Sequence, residues 1–330
     1  MTRRKPKKSQ KPSTPPRSPW PHRLAWVLTG ATFVLLYAGG TVTTYSAGMA
    51  VPDWPTTEGF WFYPIGKWLG GDWDVFLEHG HRLLAQAVGL VTIALAVALW
   101  RLDPRKWMRW LGVAAVLGVI LQGTIGGLRV LGDELLLAKV HGCTGPLFFA
   151  LCAAIVTLTS PRWEQSEAAK GQPAPRMLQG LALALCLALY VQIVLGAQLR
   201  HVSPVAAPGW FDLWVWLKLI VAGLIAIGVV WLVIHVFRSA RGEAMVVRRS
   251  GLLAALFFVQ LLLGATTWVL NYGWPLWFKD YVWQLDYTVV AEGGLQVVTT
   301  TVHGAVGSLN LVVALSLALW SRRRLPGAAR

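Results

Sequence analysis

Eight long apolar runs alternate with short polar segments along the chain. They lie near residues 24–48, 77–100, 108–130, 135–159, 177–199, 212–237, 250–271 and 294–320. Each run reaches the length of about 20 residues that a helix needs to cross the hydrocarbon core of a bilayer. The pattern therefore predicts an all-α integral membrane protein with eight transmembrane helices.

The basic residues between these runs orient the predicted helices. With the N-terminus inside, 23 of the 30 Lys and Arg fall in the inner segments, which are 1–23, 101–109, 160–176, 238–249 and 321–330. The loops on the other side carry acidic residues such as Asp53, Asp72 and Asp133. This asymmetry follows the positive-inside rule and predicts that both termini are cytoplasmic.

Composition excludes several classes of protein. The chain is 55% hydrophobic and only 14% charged, whereas a soluble domain carries about 25% charged residues. Its three cysteines all lie inside apolar runs, so no disulfide scaffold is indicated. The net charge of +15 reflects membrane topology, and we expect the lipid bilayer and no nucleic acid as a partner.

Two short motifs recur in the two halves. Gln-x-x-x-Gly followed by Gly or Ala begins at Gln122, Gln192 and Gln260, and Val-His-Gly contains His141 and His303. The recurrence predicts two tandem four-helix bundles related by a parallel internal repeat. The predicted segments are a disordered basic arm 1–23, an N-terminal bundle 24–159, a cytoplasmic linker 160–176, a C-terminal bundle 177–320 and a basic tail 321–330.

Ionisable side chains inside the even-numbered spans form the candidate site. They are Glu78, His81 and Arg82 in the second span, Lys139 and His141 in the fourth, Lys218 in the sixth and His303 in the eighth. Such groups are costly in a membrane and usually serve function. Each lies a few residues past the outer end of its span, so we expect one polar layer near the outer face.

A pair of imidazoles from two helices is the arrangement of bis-histidine haem ligation. His81 and His141 could form such a pair, and the neighbouring Gly80 and Gly142 would let a flat macrocycle approach the backbone. The alternative for each histidine is an interhelical hydrogen bond. The repeated Val-His-Gly context favours ligation for His141 and His303.

Glu78 shares a helical face with His81 and precedes Arg82 by one turn. Two interpretations stay open: an ion pair with Arg82 at the membrane boundary, or a carboxylate over the haem edge that moves protons. His79 points away from His81 and is read as an interfacial hydrogen-bonding residue. The same interpretation applies to the remaining histidines, His22, His201 and His235.

Together these motifs resemble the haem A synthase family over roughly residues 24–320. The resemblance rests on Glu78-x-x-His81-Arg82, the Gln-x-x-x-Gly motif, Val-His-Gly and Pro52-Asp53-Trp54-Pro55. It implies an enzyme that oxidises the C8 methyl group of haem O to the formyl group of haem A, for cytochrome oxidase biogenesis. Two hydroxylations give a geminal diol, which loses water.

The resemblance also implies roles for individual residues. His81 and His141 would ligate the iron of haem O, the substrate, and Glu78 would assist the oxidation. The second bundle would hold a haem b with His303 as one ligand. From their charge and depth, Arg82 and Lys139 are candidate contacts of the haem propionates. Haem O synthase and cytochrome oxidase assembly factors are the expected partners, and homo-oligomerisation stays open.

The chain departs from the family pattern at two places. Lys218 stands where the sixth span should supply the second haem b ligand. Val51 and Thr56 or Thr57 stand where many relatives have a cysteine pair, so a thiol-based step is not available.

Two other functions compete with the oxidase. A membrane b-type cytochrome that carries electrons without oxidising haem would use the same histidines, but it needs haems at two depths. A transporter would need broken helices and a polar midplane, which the sequence lacks. We expect an oxidase of the bacterial cytoplasmic membrane with its haem sites near the outer face.

Overall fold

The structure, a computed structural model, describes residues 18–166, 176–202, 207–283 and 287–324. Within them the chain folds into helices, listed here in order: α1 (Trp20–Thr44), α2 (Ile65–Gly70), α3 (Trp73–Leu102), α4 (Lys106–Gly132), α5 (Leu135–Thr159), α6 (Pro161–Gln165), α7 (Arg176–Arg200), α8 (Pro208–Ser239), α9 (Ala244–Tyr272), α10 (Leu276–Tyr281) and α11 (Gly294–Arg324). A short 3-10 turn, Ala47–Met49, follows α1.

In these described ranges, eight helices are long and apolar enough to cross a membrane: α1, α3, α4, α5, α7, α8, α9 and α11. The prediction of an all-α integral membrane protein with eight spans is thereby confirmed. Large apolar side chains such as Leu90, Ile227 and Phe258 are exposed on the outside of the helices. Such a surface is stable against lipid and would not be stable in water.

The helix ends differ from the predicted ones where local backbone chemistry decides. Helix α1 starts at Trp20, ahead of the predicted residue 24, because Pro19 and Pro21 suit the first turn of a helix. It ends at Thr44, since Ser46 has a left-handed φ of 56° that an α-helix cannot continue through. Asp133, with φ 48°, similarly closes α4 and turns the chain straight into α5.

The spanning helices pack in two groups of four. In the first group α1, α3, α4 and α5 contact one another in a ring, and in the second α7, α8, α9 and α11 do the same. Leu28, Leu95 and Ile155 belong to the apolar core of the first group, whereas Leu185, Leu232 and Leu317 belong to that of the second. Each group thus closes around a core of its own.

The two groups meet along α11, which packs against α1 and α5. One close approach is at Gly40 of α1, where a Cβ atom would lie 3.0 Å from Cγ2 of Thr301. The hydroxyls of Thr44 and Thr301 are 3.4 Å apart on the same seam. Small residues let two helices approach this closely in a membrane.

Several sequence-based expectations stay predictions. These are the internal repeat, the exact bounds of the two bundles and the cytoplasmic placement of the termini. Residues 1–17 of the basic arm, 167–175 of the linker and 325–330 of the tail lie outside the described residues.

Candidate functional site

The imidazoles of His81 and His141 lie inside the first helix group, and each is packed against a glycine of the preceding spanning helix. A Cβ atom on Gly39 would lie 2.9 Å from Cε1 of His81, and one on Gly126 would lie 3.1 Å from Cε1 of His141. A larger residue at either position would force the ring to move. Gly126, the first Gly of a Gln-x-x-x-Gly motif, and Gly39, at the matching place in α1, therefore each seat a histidine of the next spanning helix.

Both rings have an unpaired nitrogen. Among the described residues, Nδ1 of His81 and Nδ1 of His141 are buried and have no hydrogen-bond partner. A buried polar atom without a partner costs about 1–3 kcal/mol. Next to His141, a Cβ atom on the exposed Gly142 would meet nothing within 4 Å. In the described part of the chain, no interhelical hydrogen bond at Nδ1 therefore holds either ring, and both imidazoles fit the role of haem ligands.

The second helix group repeats the arrangement with one change. A Cβ atom on Gly264 would lie 3.2 Å from Cε1 of His303, and one on Gly196 would lie 3.0 Å from Nζ of Lys218. The amine of Lys218 thus occupies the place that an imidazole occupies at the other three positions. The sequence alignment that put Lys218 at a histidine position agrees with this geometry.

Glu78 is buried and forms the ion pair with Arg82. Its Oε1 accepts a hydrogen bond from Nη2 of Arg82 at 2.7 Å, and its Oε2 accepts one from the backbone N–H of Val51 at 2.9 Å. The ion-pair interpretation is therefore realised. It leaves the second interpretation open, because each of these carboxylate oxygens has a further lone pair.

Arg82 fastens the first outer loop to α3. Besides Glu78, its Nη atoms donate to the carbonyl oxygens of Val51 at 2.9 Å, Asp53 at 2.7 Å and Thr56 at 2.8 Å. All four Nη hydrogens are thus used within the protein. Only Nε–H is left for the propionate contact predicted for Arg82, so its role in the structure is to hold the loop.

The positions where the cysteine pair was expected face the same part of α3. Val51 is buried, and its backbone N–H donates to the carboxylate of Glu78. Thr57 is also buried, and its hydroxyl forms a 3.0 Å hydrogen bond with Nδ1 of His79. The hydrogen-bonding role predicted for His79 is confirmed. Val51 and Thr57 thus hold the loop against α3 by hydrogen bonds, at the positions where a cysteine pair was expected.

The carboxylate of Asp53 stabilises the turn of this loop. It accepts hydrogen bonds from the hydroxyl of Thr56 and from the N–H groups of Glu58 at 2.8 Å and Gly59 at 2.9 Å. Burial alone would raise the pKa of Asp53, but these hydrogen bonds outweigh it and hold the pKa below its usual value. The turn is thus built around an ionised aspartate.

Trp54, next in the Pro-Asp-Trp-Pro motif, reaches from the loop to α4. Its indole covers Gly127 so closely that a Cβ atom there would overlap the ring. Gly126 and Gly127 thus have separate tasks: one seats His141, and the other seats Trp54. The loop motif and the helix motif, which looked independent in the sequence, meet at this point.

Arg129 is a site residue that the sequence analysis missed. It lies in the last turn of α4, donates from Nη2 to the carbonyl oxygen of Gly48 at 3.1 Å, and is near enough to Glu78 and His141 for their charges to interact. Within the described ranges it has no carboxylate at ion-pair distance. The available signal was its spacing, since Arg129 follows the histidine-seating Gly126 by three residues.

A cavity of about 180 Å³ opens beside Arg129, between α1, α4, α5 and the end of α7. Arg129 and His201 line it, together with Asp133 and Glu134. Lys139 is near enough to interact electrostatically with His201, whose pKa is lowered to about 4, first by burial and then by Arg200. Arg129 and Lys139 therefore place positive charge in the layer of His81 and His141.

The remaining histidines have ordinary partners. His22 contacts the hydroxyl of Thr159 at 3.1 Å and the indole N–H of Trp26 at 3.2 Å. His235 accepts from the indole N–H of Trp231 at 3.2 Å. Both are explained as hydrogen-bonding residues near helix ends, as predicted.

Fold and site together define an integral membrane helical protein with two buried imidazoles on neighbouring helices of one group. Comparison with known families identifies the family: residues 72–279, more than half of the chain, match the family described as cytochrome oxidase assembly protein, COX15-CtaA. The chain belongs to this family. The matched range includes Glu78, His81, His141 and Lys218, whereas His303 lies beyond it.

Curated relatives of the chain carry the name Heme A synthase. The chain is 29% identical over 197 residues to that of Shouchella clausii, covering 58% of this chain and 62% of the relative. It is 29% identical over 196 residues to that of Symbiobacterium thermophilum, covering 54% and 60%. It is 25% identical over 258 residues to that of Exiguobacterium sibiricum, covering 73% and 82%. The first two alignments thus span about three fifths of the relatives.

Proposed function

We propose that this protein is a haem A synthase-type oxidase, which converts the C8 methyl group of haem O to the formyl group of haem A. One observation carries the proposal. In a member of the cytochrome oxidase assembly family, two imidazoles from separate helices are buried on glycine seats, and each keeps an unpaired Nδ1. Such a pair suits an iron porphyrin, the class of molecule on which the named relatives act.

In this proposal His81 and His141 ligate the iron of haem O. Gly39 and Gly126 fix where each ring stands, so both rings are positioned before the substrate arrives. Pre-positioned ligands reduce the entropy lost on binding. The open space at Gly142 leaves room for the porphyrin edge next to the backbone of α5.

The chemistry requires protons and electrons to leave the methyl group. Converting a methyl group and one water to a formyl group releases four protons and four electrons, and the electrons pass to an external acceptor. Glu78 is the group assigned to protons: it is buried in the same layer, three residues from His81, and is paired with Arg82. A buried base near the reacting carbon can accept these protons, so that the reaction does not need a free hydroxide ion.

We assign the substrate's carboxylates to Arg129 and Lys139. The sequence had favoured Arg82 and Lys139, but the Nη atoms of Arg82 are committed to the loop. Arg129 lacks a carboxylate partner within the described residues and borders a cavity in the layer of the two imidazoles. A guanidinium there pairs with a propionate through charge-assisted hydrogen bonds.

The proposal includes the organisation of the chain. Residues 24–159 form the substrate-binding bundle and 177–320 a second bundle, with both termini in the cytoplasm of a bacterium and the imidazoles near the outer face. Haem O synthase, which makes the substrate, and cytochrome oxidase assembly factors are the proposed partners.

The test is to analyse haem by mass spectrometry after extraction from membranes that contain this chain and a haem O synthase. We expect haem A or its hydroxylated precursor with the wild type, and at least a hundredfold less with Glu78→Gln, the size of a lost general base. Glu58→Gln, in the exposed part of the outer loop, is the matched control. Bound haem with haem O left unoxidised in the wild type would refute the oxidase and favour the electron-carrying cytochrome.

A further inference from the structure

The polar core of the second helix group differs from that of the first in three respects. The differences concern Lys218, His303 and the side chains around them. They bear on the haem b that the family resemblance implies for this half of the protein.

The first difference is the residue at position 218, where the second group would need a histidine to pair with His303. Lys218 fills it with its Nζ against Gly196. His201, directly after α7, interacts electrostatically with His141 of the first group. His235 lies on the same helix as Lys218, about 25 Å away along the axis, and is paired with Trp231. Across the described part of this group, His303 is therefore without a histidine partner.

The second difference is the state of His303 itself. Nε2 of Gln260 lies 3.2 Å from Nδ1 and 3.4 Å from Nε2 of the His303 ring, and 3.1 Å from the carbonyl oxygen of His303. Because a carbonyl oxygen only accepts, the amide presents its NH₂ group to the ring, within hydrogen-bond distance of both ring nitrogens. An iron at either nitrogen would have to displace this contact.

The corresponding glutamine of the first group behaves differently. Nε2 of Gln122 donates to the hydroxyl of Thr144 at 2.5 Å, and Nδ1 of His141 is left unpaired. The same motif thus leaves Nδ1 of the histidine unpaired in one half and places an amide against both ring nitrogens in the other.

The third difference is the space beside the histidine. Gly142 next to His141 is open, whereas Nη1 of Arg200 lies 3.8 Å from the Cβ position of the matching Gly304. Arg200 is anchored there, donating to the carbonyl oxygen of Gly40 at 2.6 Å and to the hydroxyl of Thr44. The flank that has no neighbour in the first group is contacted in the second by an arginine that joins the two groups.

From these differences we infer that the second helix group does not hold a bis-histidine haem, and that the chain has one haem site, between His81 and His141. The lysine, the glutamine-bound His303 and Arg200 do not fit haem b, and they form an interior held by hydrogen bonds. The inference rests on the proposed function only in taking haem as the ligand of the first group. It implies that electrons leave the substrate without a second haem as a relay.

The test is a titration of the purified full-length protein with ferric haem, with bound haem per chain read from the low-spin absorption bands. We expect saturation at one equivalent, unchanged in His303→Ala and lost in His141→Ala. Melting curves of the variants control for folding. The stoichiometry of the wild type tests the inference without any substitution, so misfolding of a variant cannot affect it.

Two equivalents in the wild type, or a loss of low-spin haem in folded His303→Ala, would overturn the inference and leave the proposed oxidase standing. Failure to bind any haem would instead contradict both. The two failures are therefore distinguishable in one experiment.

Discussion

The glycine seat of His81 provides the sharpest test of the site geometry, through Gly39→Ala. The added Cβ atom would lie 2.9 Å from Cε1 of the ring, whereas ordinary contact begins at 3.4 Å. The imidazole must therefore retreat by about 0.5 Å. Iron–ligand bonds tolerate about 0.2 Å of displacement, so the ring cannot both clear the methyl group and hold the iron without strain.

The size of the effect follows from the cost of overpacking. Inserting a methyl group into a filled interior costs about 1–3 kcal/mol, which corresponds to a ~5- to 150-fold weaker affinity for haem. Helix propensity acts in the opposite direction, because Ala is favoured over Gly by about 1 kcal/mol in a helix. Gly39→Ala should therefore weaken haem binding while the protein itself stays folded.

The assay is a ferric haem titration of Gly39→Ala beside Gly30→Ala. Gly30 is on the same helix and has nothing within 4 Å of its Cβ position, so it reports the effect of helix propensity alone. We expect wild-type affinity for Gly30→Ala and the stated loss for Gly39→Ala. Equal affinities in the two variants would refute the claim that Gly39 seats a haem ligand.

Three further predictions follow from the loop and the cationic layer. Gly127→Ala should displace Trp54 and lower haem oxidation, while Gly123→Ala, with open space at its Cβ position, should not; haem A yield and Trp fluorescence would check this, and equal yields would contradict it. Arg129→Gln should weaken binding of haem about tenfold or more but not binding of a haem dimethyl ester, since the ester has no carboxylate to pair; an equal loss for both ligands would argue against the assignment. Because the folded pKa of Asp53 is depressed, its contribution to the loop is present above its unfolded pKa of about 3.9 and is lost as the pH falls through the folded value. In the wild type, hydrogen exchange of residues 51–60, corrected for intrinsic rates, should become faster as the pH falls through the folded pKa of Asp53. In Asp53→Asn the exchange should already be fast and should not show this pH dependence.

The spans and the candidate ligands were predictable from the sequence because the bilayer leaves few choices. A run of about 20 apolar residues has one stable structure there, and His81 or His141 in such a run is conspicuous. Lys218 could be recognised as a substitute because its neighbours preserve the spacing of the repeat.

The contacts that complete the site could not be predicted, because they join segments far apart in the chain. Arg82 binds carbonyl oxygens of an irregular loop that lies 26 to 31 residues earlier, and neither helical period nor charge indicates that contact. The pairing of Trp54 with Gly127 and the approach of Arg200 to Gly40 likewise depend on how the helices pack. Arg129 was overlooked because one arginine at the end of a span is common.

The most direct test of the whole account is an alanine series at the four glycine-seated positions, His81, His141, Lys218 and His303. Each variant is produced with a haem O synthase, and haem A is measured by mass spectrometry against the amount of folded protein. We expect haem A to disappear in His81→Ala and His141→Ala and to persist in Lys218→Ala and His303→Ala. Haem A formed without His81 or His141, or lost in both variants of the second helix group while the first is intact, would contradict this expectation.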